Sequence, residues 1–226
     1  MFINQFILKF RVLAICYIAL GITNFYSQDH YFENYQVDDG LSHNTITSII
    51  QDHQGFIWFG TKDGLNRFDG YSFKVFQHDP KVKKSLGSNF VRSLHEFKNN
   101  IWVGTDNGLF QYDEQKENFF LLTPTENEPI LDINHDREGN LWFIAAGKLF
   151  RYAMNQKAAV TMPLPDGQEA QWISSNGSDM IIATNTGLYS YKTAKESFKR
   201  LPITWEFKDE MPFLITKIKT FKNHDL

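Results

Sequence analysis

Apolar segments separated by polar turns follow one another along the chain, and one of these segments recurs. Residues 57–61 have the sequence Ile-Trp-Phe-Gly-Thr, which returns as Ile-Trp-Val-Gly-Thr at 101–105, Leu-Trp-Phe-Ile-Ala at 141–145 and Met-Ile-Ile-Ala-Thr at 180–184. The second residues of the four copies, at 58, 102, 142 and 181, are 44, 40 and 39 residues apart. A self-similar unit of about 40 residues indicates a solenoid or a propeller.

Each copy continues in the same register. The glycine that follows is Gly64, Gly108 or Gly187, and the third copy has Lys148 preceded by Gly147. A leucine comes next in all four copies, and the aromatic residue after it is Phe68, Tyr112, Tyr152 or Tyr191. This fourfold agreement makes coincidence a poor explanation for the repeat.

One repeat contains four short strands. β-Branched and apolar residues at 45–52 predict a buried strand, and strands at 56–61, 65–69 and 72–77 follow it. Gly55 and Gly64 mark the turns between them, because glycine adopts positive φ at little steric cost. The second unit predicts strands at 90–96, 101–105, 109–112 and 118–122. Four short antiparallel strands per unit are typical of a propeller blade.

The predicted fold is therefore all-β, an incomplete β-propeller of about four four-stranded blades and the start of a fifth. We predict a signal segment at 1–27 and a partial propeller at 28–226. The blades are expected at approximately 41–80, 86–124, 128–165 and 168–203, with the start of a fifth at 211–226. Pro163 to Gly167 is the most linker-like segment, and it falls between the third and fourth blades.

The predicted ends of the propeller lack partners. Residues 31–35 resemble the fourth strand of a blade, and residues 213–222 resemble a first strand. We therefore expect a fragment whose missing blades lie elsewhere, and the alternative is a small propeller completed by a complementary chain. Open sheet edges favour association, so the chain alone is expected to aggregate, to bind such a chain or to be degraded.

The repeated aromatic and small residues have a structural interpretation. Trp58, Trp102 and Trp142 are expected to pack between blades rather than to stack on nucleic-acid bases. Small residues at 60, 104 and 183 would let neighbouring sheets approach closely, whereas Ile144 departs from that rule. The predicted structural motif comprises Trp58, Gly60, Gly64, Trp102, Gly104, Gly108, Trp142 and Gly187.

The first 27 residues differ in kind from the rest of the chain. Lys9 and Arg11 precede an apolar run at 12–22, and Asp29 is the first acidic residue. This layout is typical of a signal peptide, with cleavage near Ser27, and it predicts export. The alternative is an uncleaved membrane anchor formed by residues 6–22. The single cysteine, Cys16, lies in this segment, so a processed chain would have no thiol chemistry.

The charge balance excludes one class of partner. The formal net charge is −3, and removal of Lys9 and Arg11 leaves 21 basic against 26 acidic residues, or −5. Neither a basic run nor an RNA-binding aromatic motif is present, so nucleic-acid binding is not expected. Cofactors and metals are not expected either.

The most complete copy of the repeat resembles a known family. Residues 38–44 (Asp-Asp-Gly-Leu-Ser-His-Asn), 49–52 (Ile-Ile-Gln-Asp), 55–61 (Gly-Phe-Ile-Trp-Phe-Gly-Thr) and 64–70 (Gly-Leu-Asn-Arg-Phe-Asp-Gly) are similar to the regulator-propeller repeats of Bacteroidetes hybrid two-component systems. The second unit matches well, with Ser-Asn at 88–89 and Gly-Thr-Asp-Asn-Gly-Leu at 104–109. The third and fourth units are degraded.

The resemblance implies a function for the chain. In that family, periplasmic propellers precede a membrane helix, a histidine kinase, a receiver and a DNA-binding domain, and they detect oligosaccharides released from polysaccharides. The chain would then be part of a periplasmic glycan sensor, free or anchored in the inner membrane, without the kinase. The alternatives are a stand-alone periplasmic propeller for ligand or protein binding and, as a third hypothesis, a propeller glycan hydrolase or lyase.

Few residues of the sequence suggest catalysis. Asp52 and Asp136 begin turns that resemble the Asp-box of sialidase propellers, where such a carboxylate accepts hydrogen bonds from backbone N–H groups of the turn. His53, His95 and His135 occur near the same turn of successive blades. We expect them to be solvated and far apart, which excludes a shared metal ion.

Ligand binding is predicted at the loops that join blades and at the turns between second and third strands, because these face one side of a propeller. Their polar side chains suit sugar hydroxyls, although Asn44 and Asn89 could simply hold turns. The predicted ligand-binding residues are Ser42, His43, Asn44, Lys62, Asp63, Ser88, Asn89, Asp106, Asn107, Asn185 and Thr186.

Overall fold

A computed structural model describes residues 32–176 and 179–202. The chain divides into two compact units, Met1–Asn34 and Tyr35–Leu226. The described residues of the first unit, 32–34, have no regular structure. The predicted signal segment at 1–27 and the predicted fifth blade at 211–226 lie outside the described residues.

The second unit contains four antiparallel sheets of four strands, and within each sheet the strands follow one another in chain order. Blade 1 comprises β1 (Ile46–Gln51), β2 (Ile57–Thr61), β3 (Gly64–Phe68) and β4 (Phe73–Phe76). Blade 2 comprises β5 (Val91–Phe97), β6 (Asn100–Thr105), β7 (Gly108–Asp113) and β8 (Asn118–Leu121). Blade 3 comprises β9 (Ile130–His135), β10 (Asn140–Ala145), β11 (Lys148–Ala153) and β12 (Ala158–Met162). Blade 4 comprises β13 (Ala170–Ser175), β14 (Asp179–Thr184), β15 (Gly187–Lys192) and β16 (Ser197–Arg200).

The propeller architecture predicted from the repeat is confirmed. The first strands lie side by side, since β1 contacts β5, β5 contacts β9 and β9 contacts β13. The helical content of the described residues is limited to three short 3-10 turns, Val37–Asp39, Pro165–Gly167 and Thr193–Lys195. None of the helices in the described part of the chain is long and apolar enough to cross a membrane.

Aromatic and aliphatic side chains fill the space between successive blades. Trp58, Trp102 and Trp142 are at most 1% exposed, as the blade-packing interpretation requires. Trp58 belongs to the core between blades 1 and 2, Trp102 to the core between blades 2 and 3, and Trp142 to the core between blades 3 and 4. The second strand of blades 1, 2 and 3 therefore presents its tryptophan to the following blade.

Glycine on the second strand brings the next blade close. A β-carbon built at Gly60 would lie 2.8 Å from Val91 Cγ1, and one built at Gly104 would lie 2.7 Å from Ile130 Cγ2. Both distances are too short for real atoms, so these interfaces require glycine.

Ile144 replaces this glycine in blade 3, and the partner residue changes with it. Val91, Ile130 and Ala170 are the equivalent first residues of β5, β9 and β13, because each pairs with the last residue of its own second strand. Ile144 and Ala170 are both buried in the third core. At the first two interfaces the larger side chain lies on the first strand of the following blade. At the third interface it lies on the second strand of the preceding blade.

The segment before blade 1 corrects one prediction. Residues 32–36 form no strand, so the fourth strand predicted at 31–35 is wrong for the residues that are described. The chain instead makes a 3-10 turn at Val37–Asp39, which ends at Gly40 with φ of 104°. The ring of Tyr35 packs against Phe68 and Phe73, with centroids 4.9 and 5.6 Å away. Tyr35 therefore contributes a side chain to blade 1 rather than a strand.

Candidate ligand-binding surface

The turns between second and third strands lie at the same end of the blades as the segments that lead into the first strands. In blades 2 to 4, backbone hydrogen bonds join this turn to the entry segment of the same blade: Asp106 N to Phe90 O at 3.1 Å, Ala146 N to Pro129 O at 3.0 Å, and Asn185 N to Glu169 O at 3.1 Å. Sequence reasoning placed the ligand-binding residues on these two kinds of loop.

Asn44 and Asn89 occupy equivalent positions and perform the same structural task. Asn44 Oδ1 accepts a hydrogen bond from Val37 N at 3.0 Å, and Asn89 Oδ1 accepts one from His78 N at 2.7 Å. Each amide thus fixes the chain that enters its blade. Asn89 Nδ2 also donates to Asp63 Oδ1 at 2.9 Å, which brings together two predicted ligand-binding residues from adjacent blades.

The other entry residues also bind their own chain. Ser42 Oγ lies 2.8 Å from Thr61 Oγ1. The ring nitrogen Nδ1 of His43 and the hydroxyl of Ser88 each accept the backbone N–H two residues later, at 2.8 and 3.1 Å. His43 is half-buried.

Sequence reasoning missed the amide that anchors the entry to blade 1. Asn66 is fully buried, its Oδ1 accepts Ser42 N at 2.8 Å, and its Nδ2 donates to Ser42 Oγ at 2.8 Å. The aligned positions in blades 2, 3 and 4 are Phe110, Phe150 and Tyr189. Since the other three blades have an aromatic residue at this position, the asparagine in blade 1 was the sequence signal that could have identified it.

An ion pair fixes the turn between the second and third strands of blade 2. Arg92 forms an ion pair with Asp106, and its guanidinium lies 4.7 Å from the centroid of the Phe90 ring. Asn107 Nδ2 donates to Gly87 O at 3.1 Å. Both predicted ligand-binding residues of this turn therefore have partners within the protein.

The turns of blades 1 and 4 expose more of their side chains. Lys62, Asn185 and Thr186 are exposed. Asn185 Oδ1 accepts Glu169 N at 3.3 Å, whereas the Thr186 carbonyl accepts Arg200 Nη2 at 3.2 Å. These turn contacts involve neither the Lys62 ammonium nor the Thr186 hydroxyl, and both side chains are exposed at the loop end.

A recess of about 420 Å³ opens between the connection from blade 1 to blade 2 and the connection from blade 2 to blade 3. Asn107, Glu126 and Asn127 contribute polar groups to its wall, and Val82 and Leu121 contribute exposed apolar side chains. Asn107 is the predicted site residue in this recess, whereas Glu126 and Asn127 were not predicted. The recess can therefore offer hydrogen-bond donors, acceptors and an apolar surface to one ligand.

The opposite end of the blades carries the two turn aspartates, and they act as predicted. Asp52 Oδ1 accepts Gln54 N and Phe56 N, both at 3.0 Å. Its Oδ2 accepts the indole N–H of Trp58 at 2.7 Å, which the sequence analysis did not anticipate. Asp136 Oδ2 accepts Trp142 Nε1 at the same distance. Each carboxylate thus links its turn to the tryptophan of the same blade.

The predicted separation of the turn histidines is wrong. His95 Nε2 and His135 Nδ1 are 2.8 Å apart, and the His135 ring stacks on Phe97 at 4.6 Å between centroids. Adjacent first strands are offset, so the fifth residue of β5 meets the sixth residue of β9. His53 is separate and pairs with Glu96, with its Nδ1 2.7 Å from Oε1.

Burial makes both paired rings poor bases. Desolvation lowers the pKa of His95 from 6.5 to about 4, and the neighbouring His135 ring acts in the same direction. Desolvation also lowers the pKa of His135, which the Asp136 carboxylate partly offsets. Within residues 32–176 and 179–202, no group of three or more His, Cys, Asp or Glu side chains could hold a metal ion.

A polar cluster between blades 1 and 2 also escaped the sequence analysis. The Arg67 guanidinium lies 4.7 Å from the Phe56 ring centroid, and Arg67 Nη2 lies 3.5 Å from Glu117 Oε1. Arg67 Nη1 donates to Tyr112 Oη at 3.4 Å. Burial raises the pKa of Tyr112 to about 12, so the phenol stays protonated. The cluster joins two blades at the end opposite the candidate loops.

Comparison with known proteins adds a family to this geometry. A family model described as "Two component regulator propeller" matches residues 40–63. The matched segment begins at the Gly40 turn, includes β1 and β2, and ends in the turn at Asp63. The chain carries the two-component regulator propeller repeat. The resemblance inferred from the sequence is thereby confirmed.

Longer relatives agree with this repeat. The chain is 34% identical over 77 residues to histidine kinase P4 of Formosa agariphila, and the match covers 34% of this chain and 6% of the relative. The extracellular domain of the hybrid two-component system BT3049 from B. thetaiotaomicron superposes with a TM-score of 0.65 at 23% identity. That of the one-component system BT4673 from the same organism gives 0.66 at 19%.

The two structural matches concern the fold. They cover 75% and 80% of this chain but 26% and 25% of the solved chains, respectively. The chain therefore spans about a quarter of the two extracellular domains and a small part of the kinase relative.

Proposed function

We propose that this chain forms part of the extracytoplasmic sensor of a two-component regulator. The observation that carries the proposal is the regulator-propeller repeat at 40–63, which forms the start of blade 1 in a fold shared with extracellular domains of bacterial signalling systems. The proposal includes export through the segment at 1–27. It assigns no catalytic activity to the chain itself.

We propose further that the sensed ligand is a glycan-derived oligosaccharide bound in the recess beside Asn107. Sugars present hydroxyls that both donate and accept hydrogen bonds, together with apolar ring faces. Amides supply donors and acceptors, a carboxylate supplies acceptors, and an exposed aliphatic side chain supplies a surface for the apolar ring face. Asn107, Asn127, Glu126 and Leu121 provide this combination around one recess.

Calorimetric titration of the purified protein with a panel of oligosaccharides of defined composition tests the ligand. Asn127 has φ of 62°, so Asn127→Gly removes the amide without backbone strain. We expect Asn127→Gly and Glu126→Ala to weaken binding at least tenfold. Gln156→Ala, an exposed change at the opposite end of blade 3, should leave it unchanged. Equal affinities in all three variants would overturn the assignment to this recess.

The signalling role has its own test. Disruption of the gene should abolish the induction of genes that depend on the same oligosaccharide, whereas a stand-alone binding protein would leave induction intact. Release of reducing sugar from the oligosaccharide by the purified protein would instead show a glycan hydrolase or lyase.

A further inference from the structure

The connection from blade 1 to blade 2 is longer than the two connections that follow it, and it forms a compact strap. Residues 77–90 join β4 to β5, whereas residues 122–129 and 163–169 make the later connections. Two hydrogen bonds close the strap, which we define as residues 78–86: Asp79 N donates to Ser85 Oγ at 3.0 Å, and Ser85 Oγ donates to Asp79 O at 2.9 Å. Compact surface loops with their own internal contacts frequently have a function.

The strap is held against blade 2 by its backbone and by one buried side chain. Phe119 N on β8 donates to Lys84 O at 2.9 Å. Leu86 is 1% exposed and belongs to the core between blades 1 and 2. These contacts do not use the side chains of Lys81, Lys83 and Lys84, which are exposed. The strap therefore presents three lysines from a fixed backbone.

Two cavities adjoin along the strap. One is the recess beside Asn107, and the other is a groove of about 640 Å³ between the strap, the end of β4 and the turn that precedes β8. Asp79, Val82, Lys83 and Ser85 line both cavities. Small-molecule sites typically have volumes of about 300–1,000 Å³, so each cavity is large enough for part of one extended ligand.

The groove presents cations. Lys83, Lys84 and Lys116 line it. Lys84 Nζ lies 4.8 Å from the centroid of the Phe120 ring, which orients this ammonium group. Within residues 32–176 and 179–202, neither Lys83 nor Lys84 forms an ion pair. The strap lysines are too few to form a basic run in the sequence, but the fold adds Lys116 to them.

The two carboxylates of the groove already have partners. Glu117 forms ion pairs with Lys74 and with Arg67, whose Nη2 lies 3.5 Å from Glu117 Oε1. Asp79 Oδ1 accepts the backbone N–H of Lys81 at 2.9 Å. The charges that remain available to a ligand in the groove are therefore the positive charges of lysines, in a chain whose formal net charge is −3.

The two cavities suit different parts of a ligand. The recess offers the Asn107 and Asn127 amides and the Glu126 carboxylate, which match uncharged hydroxyl groups. The groove offers ammonium groups, which attract carboxylates and sulfates and donate charge-assisted hydrogen bonds to them. Val82 is 51% exposed where the cavities adjoin and supplies an apolar surface between the two kinds of polar group.

We propose that the groove binds the acidic group, a carboxylate or a sulfate, of an oligosaccharide whose neutral part occupies the recess beside Asn107. Lys83 borders both cavities and binds where the two parts of the ligand join. The inference rests on the proposed function and narrows its ligand to acidic oligosaccharides that also carry uncharged sugar units. The concave shape of the groove favours an extended chain over the flat surface of a membrane.

Paired oligosaccharides that differ only in charge test the ligand class. One pair is a tetramer of galacturonic acid and its methyl ester, and the other is a sulfated galactose tetramer and its desulfated form. We expect the acidic member of at least one pair to bind the purified protein at least tenfold more tightly in calorimetric titrations, and the preferred pair distinguishes a carboxylate from a sulfate. This advantage should shrink between about 0.05 M and 0.5 M salt, because salt screens exposed charges. Equal affinities within both pairs would overturn the proposal.

Removal of the strap charges tests the groove itself. The double variant Lys83→Gln, Lys84→Gln keeps the backbone contact to Phe119 and should weaken binding of the acidic tetramer at least tenfold, with the neutral tetramer unaffected. The matched control Lys195→Gln, Lys199→Gln removes the same charge from exposed positions of blade 4 and should change neither affinity. Similar affinities of the two double variants for the acidic tetramer would overturn the assignment to the groove.

The outcomes separate this inference from the proposed function. Neutral oligosaccharides that bind and are weakened by Asn127→Gly, without any effect of the strap lysines on acidic ones, would preserve the recess and overturn the groove. Binding to vesicles of phosphatidylglycerol that is lost in Lys83→Gln, Lys84→Gln, without binding of either acidic tetramer, would assign the strap to a lipid surface and also overturn the inference.

Discussion

At the scale of single residues, the turn aspartates combine two tasks that are usually separate. Asp136 Oδ1 accepts Asn140 N at 2.8 Å, and its Oδ2 accepts Asn140 Nδ2 at 2.9 Å and Trp142 Nε1 at 2.7 Å. The carboxylate is 4% exposed. It therefore closes the turn and also fixes the orientation of the buried indole.

Removal of this carboxylate should be costly. Asp136→Ala leaves buried donors without an acceptor, at about 1–3 kcal/mol for each unsatisfied group. We expect a loss of about 3 kcal/mol in the free energy of unfolding, measured by chemical denaturation. The control Asp38→Ala lies in an exposed turn and should change it by less than about 0.5 kcal/mol. Similar losses in the two variants would contradict the role of the Asp136–Trp142 bond.

The tryptophans themselves carry a larger share of the interface. Trp58 is 1% exposed, so Trp58→Ala should lower the free energy of unfolding by about 3–5 kcal/mol. Tyr71 is 96% exposed, and Tyr71→Ala is the matched control on the same blade. A loss below about 1 kcal/mol for Trp58→Ala would mean that the indole does not support the packing of blades 1 and 2.

At the scale of elements, one threonine organises the turn between the second and third strands. Thr105 Oγ1 donates to Gly108 O at 3.0 Å and accepts Asn107 N at 3.0 Å, and Thr61 makes the same contacts in blade 1. Blade 3 has Ala145 instead, and its turn residues Ala146 and Gly147 both have positive φ. Blade 3 therefore lacks both the threonine at this position and the glycine three residues later, and its turn has a different backbone conformation.

This difference predicts that removal of the threonine destabilises blade 2, whereas its introduction does not stabilise blade 3. Thr105→Val should destabilise the protein by about 1–2 kcal/mol, because the half-buried Asn107 N–H and the buried Gly108 carbonyl lose their partner. Ala145→Thr should bring no gain in stability, since the left-handed turn of blade 3 does not place the same groups around residue 145. Thermal unfolding of the two variants is the measurement, and stabilisation by Ala145→Thr would contradict the explanation.

The strands of blades 1 and 2 were predictable because their turn glycines and tryptophans recur at fixed offsets. Local patterns determine such hairpins, so the sequence was sufficient for them. The contact of His95 with His135 was not predictable, because it depends on how far one blade is shifted along its neighbour. The prediction of a strand at 31–35 failed for a related reason. Alternating aromatic residues indicate a strand, but a strand forms only where another edge is available to pair with it.

At the scale of the molecule, the histidine pair makes stability depend on pH. The pKa of His95 is about 4 in the folded chain and 6.5 in the reference state. Below pH 6.5 the unfolded chain binds a proton that the folded chain does not, so stability falls as the pH decreases from 6.5 to 4. The lowered pKa of His135 acts in the same direction.

We expect a loss of about 3 kcal/mol between pH 7 and pH 4 from His95, at about 1.36 kcal/mol for each pKa unit. Denaturation curves at a series of pH values measure it. His95→Gln removes the titrating group and should flatten the profile over this range. A profile of unchanged slope in His95→Gln would show that other groups cause the acid sensitivity.

Trp102 differs from its two counterparts in a way that has a practical use. Its indole N–H is buried without a hydrogen-bond partner among the described residues, whereas those of Trp58 and Trp142 each bind a carboxylate. The β5–β6 turn at Lys98 and Asn99 is too short to supply an aspartate. Indole N–H resonances are sensitive to hydrogen bonding, so the resonance of Trp102 should be separated from those of Trp58 and Trp142. Opening of the interface between blades 2 and 3 could therefore be followed by NMR through this one indole.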